Sequence, residues 1–207
     1  MDIKNEQPLE QAILEVAERL FLEKGFAMTS TTEIAKEVGC NQALVHYYFR
    51  TKENLFNVIF EQKFKLFFQE VFEMKTMGNL SFQDKLRHFI ESHFDLLRKN
   101  PKMPTLILNE LSRRPDQINV LREKLHTLPE QLFAELEKEL QVEIKKGNIR
   151  DISMMDIIIS MLSLNIALFV IMPIAEKMLQ INEIQKDFMI THRRSENVEF
   201  ILKSLRP

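Results

Sequence analysis

Thr29 to Leu55, TSTTEIAKEVGCNQALVHYYFRTKENL, gathers hydroxyls, amides, an imidazole, two phenols and two lysines around a thin scaffold of apolar residues. Such groups offer reversible hydrogen bonding and charge; they do not have the spacing of a catalytic apparatus. The chain has no H-E-x-x-H, phosphate loop, G-x-S-x-G or dinucleotide fingerprint. His88 and His93 stand five apart, which places them on different faces of a helix and argues against a metal site. Cys40 has no basic residue beside it and reads as a small apolar filler. Carboxylates such as Glu91, Glu110 and Glu137 sit among ordinary solvated helical charge. The expectation is a protein that is not an enzyme and carries no cofactor or metal.

The elements that position this polar set are short and sharply bounded. Ser30 and Glu33 have the S-x-x-E spacing of a capping box, so a helix opens near Thr31, and Ile34, Ala35 and Val38 form its apolar stripe. Gly39 stops it, because glycine alone enters the left-handed C′ conformation without steric cost. Asn41 is a good N-cap for a second helix through Gln42, Ala43, Leu44, Val45, His46 and Tyr47. Two short helices across a tight glycine turn make a helix-turn-helix, whose second helix has the length and polarity to enter a DNA major groove.

GCNQALVHYYFRTKENLF resembles the recognition helix and following helix start of the TetR family of bacterial regulators, and ILEVAERLFLEKGFAMTSTTEIAKEVG is similar to that family's first two helices. The F-x-x-x-G-F, T-x-x-x-I-A, Y-x-F and S/T-K-E-x-L elements occur in order across about a quarter of the chain. Gln42, Ala43, Leu44 and His46 depart from the commoner lysine, glycine, threonine and tyrosine of the family. The resemblance places Gln42, Ala43, Leu44, His46 and Tyr47 at the DNA surface. There Gln42 can make paired hydrogen bonds to adenine, and Ala43 or Leu44 can touch a thymine methyl. Leu44 reads equally as packing. His46 and Tyr47 could donate to phosphates, and Lys52 would meet a phosphate at the start of the fourth helix. Thr29 and Thr32 are further phosphate candidates. Asn41 is explained by its cap and is a contact candidate as well. Tyr48 and Phe49 read as packing beneath the helix.

Composition fits an all-α, cytoplasmic protein. Four glycines and an abundance of Leu, Glu, Lys, Phe and Met favour helix. One cysteine suits a reducing compartment, and MDIKNEQP has no signal-peptide core. A net charge of −2 and a pI near 6.2 argue mildly against nonspecific nucleic-acid binding. Lys36, His46, Arg50 and Lys52 could supply a local basic surface, diluted by Glu33, Glu37 and Glu53.

The organisation reads as a helix-turn-helix domain over residues 1–50 and a helical domain over residues 51–207, for which the resemblance implies ligand binding and dimerisation. Helix one runs from about Pro8 to Lys24, with Ile13, Val16, Ala17, Leu20 and Phe21 inward and Gly25 as its stop. Thr51 caps a long fourth helix with Leu55, Phe56, Ile59, Phe60, Phe64, Phe67, Phe68, Val71 and Phe72 on one face. Ser81 and Asp84 start a fifth helix through Leu97, Asn100 to Pro104 is a loop, and a short helix runs through Leu111. The next helix spans about Ile118 to Lys146, with Pro129 kinking or splitting it. Asp151 or Ser153 opens the eighth, and a last amphipathic helix lies between about Ser195 and Leu205.

Ile157 to Ile174 is uncharged and nearly all apolar, enough to weigh a membrane span. Its Ser160, Ser163 and Asn165, Pro173 near its end and the lack of a basic flank favour burial in the protein or a homodimer, without a membrane. In the family the last two helices pair across a two-fold axis, and residues 153–174 and 195–205 resemble that surface. The resemblance further implies a palindromic double-stranded operator and a small-molecule effector between the helices. Candidate cavity residues are Phe64, Phe68, Phe89, His93, Asn109, Glu110, Asn165 and Phe169, each of which reads equally as ordinary core. The function implied is a repressor whose operator binding is relieved by a small apolar or amphipathic ligand. The alternative is a helical sensor of the same fold that has lost specific DNA binding.

Overall fold

The computed structural model describes the backbone of residues 6–73, 80–113 and 128–207, and the side chains of residues 9–63, 80–109, 112–113 and 133–207. Among them are nine helices and no strand: α1 (Glu6–Lys24), α2 (Thr31–Val38), α3 (Gln42–Phe49), α4 (Lys52–Glu73), α5 (Phe82–Lys99), α6 (Met103–Arg113), α7 (Leu128–Lys145), α8 (Met154–Leu179) and α9 (Glu183–Ser204). The all-α expectation holds. The chain forms two compact units, one of residues 1–65 with 105–124, the other of residues 66–104 with 125–207.

The first unit grows from local signals. Ser30 Oγ accepts from the Glu33 amide at 3.1 Å, as a cap should. The Glu33 carboxylate does not complete the capping box; it pairs with Lys24 instead. Gly39 ends α2 at φ 79°, and Asn41 Oδ1 caps α3 by accepting from the Leu44 amide at 2.9 Å. These caps turn Ile34, Ala35, Val45 and Phe49 inward against Ile13, Ala17, Leu20, Phe21, Leu55 and Phe56. Phe26 folds back under α1, with ring centroids 5.4 Å from Phe21 and 5.3 Å from Phe56.

The second unit is organised around α5, whose buried face is Phe82, Leu86, Phe89, Ile90, His93, Phe94 and Leu97. α9 lies antiparallel to it, held by Arg87–Glu199 at 2.8 Å, Arg194–Asp95 at 2.7 Å and Arg98–Asp187 at 2.7 Å. α8 packs on the same helix through Ile157, Met161, Asn165, Phe169 and Met172.

Three sequence expectations change. The last helix begins at Glu183, twelve residues before the expected Ser195, because Asn182 and Gln185 form a complete capping box there. α8 continues through Pro173 to Leu179, so both of the last two helices run beyond the spans 153–174 and 195–205 expected of them. α6 starts at Met103, since Pro104 is tolerated in a first helical turn, and the loop before it is shorter than expected. Part of the expected 118–146 helix lies outside the described residues; what is described starts at Leu128, with Pro129 in its first turn.

Candidate nucleic-acid interface

The turn between α1 and α2 is held from inside. Thr29 is 1% exposed, and its hydroxyl donates to the Gly25 carbonyl at 2.9 Å, with the Leu20 carbonyl at 3.2 Å. Thr29 is therefore a turn lock, and its reading as a phosphate contact is corrected. A buried hydroxyl that satisfies helix-end carbonyls cannot reach a phosphate as well. Lys52 reinforces the same turn. Its Nζ donates to Phe26 O at 2.9 Å and Thr29 O at 2.8 Å and lies 4.3 Å from the centre of the Phe26 ring. Two of its three N–H groups face inward, leaving one with the charge. Lys52→Met should cost about 2 kcal/mol of stability, the scale of a charge-assisted pair of hydrogen bonds. A urea midpoint unchanged from the wild type would show that these contacts hold nothing.

Acidic dilution of the surface is smaller than composition suggests, since Glu33 pairs with Lys24 and Glu37 with Arg19. Lys24 holds the Glu33 carboxyl below the usual carboxylate range. Burial pushes the Cys40 thiol up, which fits the apolar filler.

α3 turns Asn41, Gln42, Ala43, His46 and Tyr47 to solvent, with Tyr47 62% exposed. Leu44 and Tyr48 are half-buried, while Val45 and Phe49 are in the core. Thr32 is exposed beside the α2 N-terminus. A line of polar contacts runs along the helix. Gln42 Nε2 donates to Thr31 Oγ1 at 3.0 Å and lies 3.4 Å from His46 Nε2, while His46 Nδ1 is 2.9 Å from the Arg50 carbonyl. Arg50 holds φ 63° and ψ −54°, with the Thr51 amide 2.6 Å from the Phe49 carbonyl. This is a γ-turn with positive φ at its centre, a strained conformation for a side-chain-bearing residue. Ser30, Thr31, His46, Arg50 and Lys52 line one open depression. Sequence reasoning gave no role to Thr31. Its placement beside Gln42 depends on how α2 crosses α3, which no local pattern encodes.

In the second unit, three of the candidate cavity residues come together. Asn165 Nδ2 donates to Ile90 O at 3.0 Å and to His93 Nδ1 at 3.1 Å, and Phe169 meets Phe94 at 5.3 Å between centroids on the same α5–α8 interface. Asn197 was missed. It is fully buried, donates to Asn165 Oδ1 at 2.8 Å, and its own Oδ1 is a buried acceptor without a hydrogen-bond partner. Only an N-x-x-x-I-L spacing places it one helical turn before Ile201 and Leu202, and that is too weak to single out an asparagine. Phe89 is buried against Phe133. Asn109 is exposed, whereas the side chains of Phe64, Phe68 and Glu110 lie outside the described residues.

Burial lowers the His93 imidazole to about 4. Because its folded value lies below the unfolded 6.5, the unfolded chain binds the extra proton first, and stability falls as pH drops from about 6.5 towards 4. His93→Gln should abolish a loss of about 2 kcal/mol between pH 7 and pH 5. Equal pH slopes for variant and wild type in urea unfolding would refute this.

α8 is long and apolar enough to cross a membrane, with a mean hydropathy of 2.5. One face is in the core. The other carries Met155, Ile159, Leu162, Ile171, Ile174 and Met178, all exposed, and α9 adds exposed Ile184, Phe188 and Phe200. Large apolar side chains left exposed in this way on two helices that pack together are unusual on a monomer.

Residues 13–59 match the family described as bacterial regulatory proteins, tetR family. A fatty acid metabolism regulator protein of Bacillus subtilis (strain 168) is 24% identical over 149 residues, 72% of this chain and 75% of that one. The HTH-type transcriptional regulator AcrR of Shigella flexneri is 42% identical over 55 residues, 27% of this chain and 26% of that one. FadR from Bacillus subtilis, solved in complex with stearoyl-CoA, has the same fold at TM-score 0.66 and 18% identity, covering 95% of this chain and 99% of that one. HlyIIR, a hemolysin II transcriptional regulator, superposes at TM-score 0.65 and 23% identity, covering 98% and 99%. The capped and packed helix-turn-helix segment, residues 13–59, thus matches the TetR family of bacterial regulatory proteins, and the chain shares the all-helical fold of these solved regulators.

Proposed function

We propose that this chain is a homodimeric, sequence-specific DNA-binding repressor of transcription, acting in the cytoplasm and released from its operator by a small apolar or amphipathic effector. The exposed face of α3 carries the reading: Gln42, Ala43 and Tyr47 stand out from a helix whose opposite face is locked in the core. Gln42 reads a base edge, Ala43 meets a thymine methyl, and Leu44, half-buried, contributes chiefly packing. Tyr47, Thr32 and Asn41 contact phosphates, and Lys52 adds charge at the α4 N-terminus while it secures the turn.

Two copies pair through the exposed apolar faces of α8 and α9, and a palindromic operator follows from two-fold symmetry. Half-sites then lie about 34–36 Å apart or at a multiple of that, so a small change in the separation of the two α3 helices costs much of the specific affinity. The effector acts by population shift, favouring one setting of α4, the helix within which the chain passes from the first unit to the second. The aromatic core of the second unit, Phe89, Phe94, Phe133 and Phe169, suits an apolar body. A long-chain acyl thioester is the first class to test, given what FadR holds.

Selection from random duplexes, followed by titration of the selected site with acyl-CoA, tests the proposal. A palindromic motif released by micromolar acyl-CoA supports it. Absence of any enriched motif overturns the DNA reading, and a motif indifferent to acyl chains overturns the effector class.

A further inference from the structure

The polar line along α3 does more than decorate its surface. A carbonyl oxygen can only accept, so the Arg50 carbonyl 2.9 Å from His46 Nδ1 requires the proton on Nδ1. In the neutral ring Nε2 then presents a lone pair, and it faces Gln42 at 3.4 Å. The two ends of a glutamine amide are told apart by their partners. Turning the amide oxygen towards His46 would set two lone pairs against each other; turning the NH2 group there makes a donor meet an acceptor. The second N–H of that group points to Thr31 Oγ1 at 3.0 Å.

Both amide donors of Gln42 are thus engaged within the protein, and only its carbonyl oxygen is open. The γ-turn at Arg50 is what aims the carbonyl that starts this chain, and it gives the positive φ there a purpose.

We propose that His46 is a positioning residue for base readout: it orients the Gln42 amide so that its oxygen, and not its nitrogen, faces the major groove, restricting Gln42 to base amino groups, adenine N6 or cytosine N4. This rests on the DNA-binding reading above and sharpens it. The paired glutamine–adenine hydrogen bonds that glutamine commonly makes need one N–H directed to adenine N7. Here that N–H is held by His46 and Thr31. Guanine and thymine, which present O6, N7 or O4 acceptors at the corresponding edge, would meet the Gln42 oxygen as like against like.

Motif selection is run in parallel on the wild type, Gln42→Ala, His46→Phe and Thr31→Val. The position read by Gln42 is the one whose preference disappears in Gln42→Ala. Adenine or cytosine should be preferred there in the wild type by about tenfold. His46→Phe keeps an aromatic ring at an exposed site but removes both nitrogens. It should still select the rest of the motif while the preference at that position falls to about twofold, because the amide is free to turn. Thr31→Val should weaken the same preference in the same direction.

A wild-type preference for guanine or thymine at the Gln42 position overturns the proposal. So does His46→Phe with an unchanged base preference, or with a uniform loss across all sequences, which is the mark of a phosphate contact. A wild type that selects no motif overturns the regulator reading itself, and this proposal with it.

Discussion

Ile159→Glu combined with Ile171→Glu is expected to convert the protein to a monomer and to lower its affinity for a palindromic site by about a hundredfold or more. Ile159 and Ile171 are 53% and 56% exposed in the single chain, so a carboxylate there asks nothing of the monomer's own core. In a two-fold dimer the same positions are covered twice over, once on each copy, and each introduces an unpaired charge into an apolar contact. Burying one such charge costs several kcal/mol, comparable with the net affinity of many dimers. Loss of pairing then separates two half-site readers whose joint affinity depends on being linked. Sedimentation should report a species of half the mass, with an unchanged thermal midpoint once concentration dependence is removed. A variant that sediments as the wild type does would show that α8 and α9 pair through some other face or do not pair at all.

The second large effect concerns Asn165. It is fully buried and joins three groups, the Ile90 carbonyl, His93 Nδ1 and Asn197 Nδ2, from α5 and α9. Asn165→Leu keeps a branched side chain, somewhat larger, but removes the amide that all three groups share. Each buried group left without a partner costs about 1–3 kcal/mol, so a loss of about 4 kcal/mol is expected. Asn197→Leu is the contrasting case. Its Oδ1 already lacks a partner, and removing it frees the core of that penalty while stranding one Asn165 oxygen. About 1 kcal/mol in either direction is expected. Similar losses for the two variants in urea unfolding would mean that the polar group is not arranged around Asn165.

The difference between what was and was not legible in the sequence is largely one of range. Ser30, Gly39 and Asn41 act within four residues of themselves, so the boundaries of α2 and α3 could be read from spacing alone. Thr29 and Lys52 look like phosphate ligands by type, but their contacts reach carbonyls brought close by the fold: Thr29 to Leu20 as well as to its local neighbour Gly25, and Lys52 to Phe26 and Thr29. The start of α9 was legible and overlooked. Asn182 and Gln185 form a capping box, but the polar run that follows lacks the apolar stripe that marks a packed helix, because its apolar residues face outward. α8 shows the reverse problem: it is apolar on every side, and periodicity cannot tell the face that packs on α5 from the face left exposed.

The central claim is that the outward face of α3 reads DNA. Its most direct test is equilibrium binding of the purified protein to a duplex carrying a selected palindrome, titrated against salt and excess nonspecific competitor. Comparison with the Gln42→Ala, Tyr47→Ala double variant completes the test. The account predicts competitor-resistant binding with a steep inverse salt dependence in the wild type, and a loss of affinity of about a hundredfold in the variant. Equal affinity for the two proteins, or wild-type binding that competitor abolishes, would contradict it.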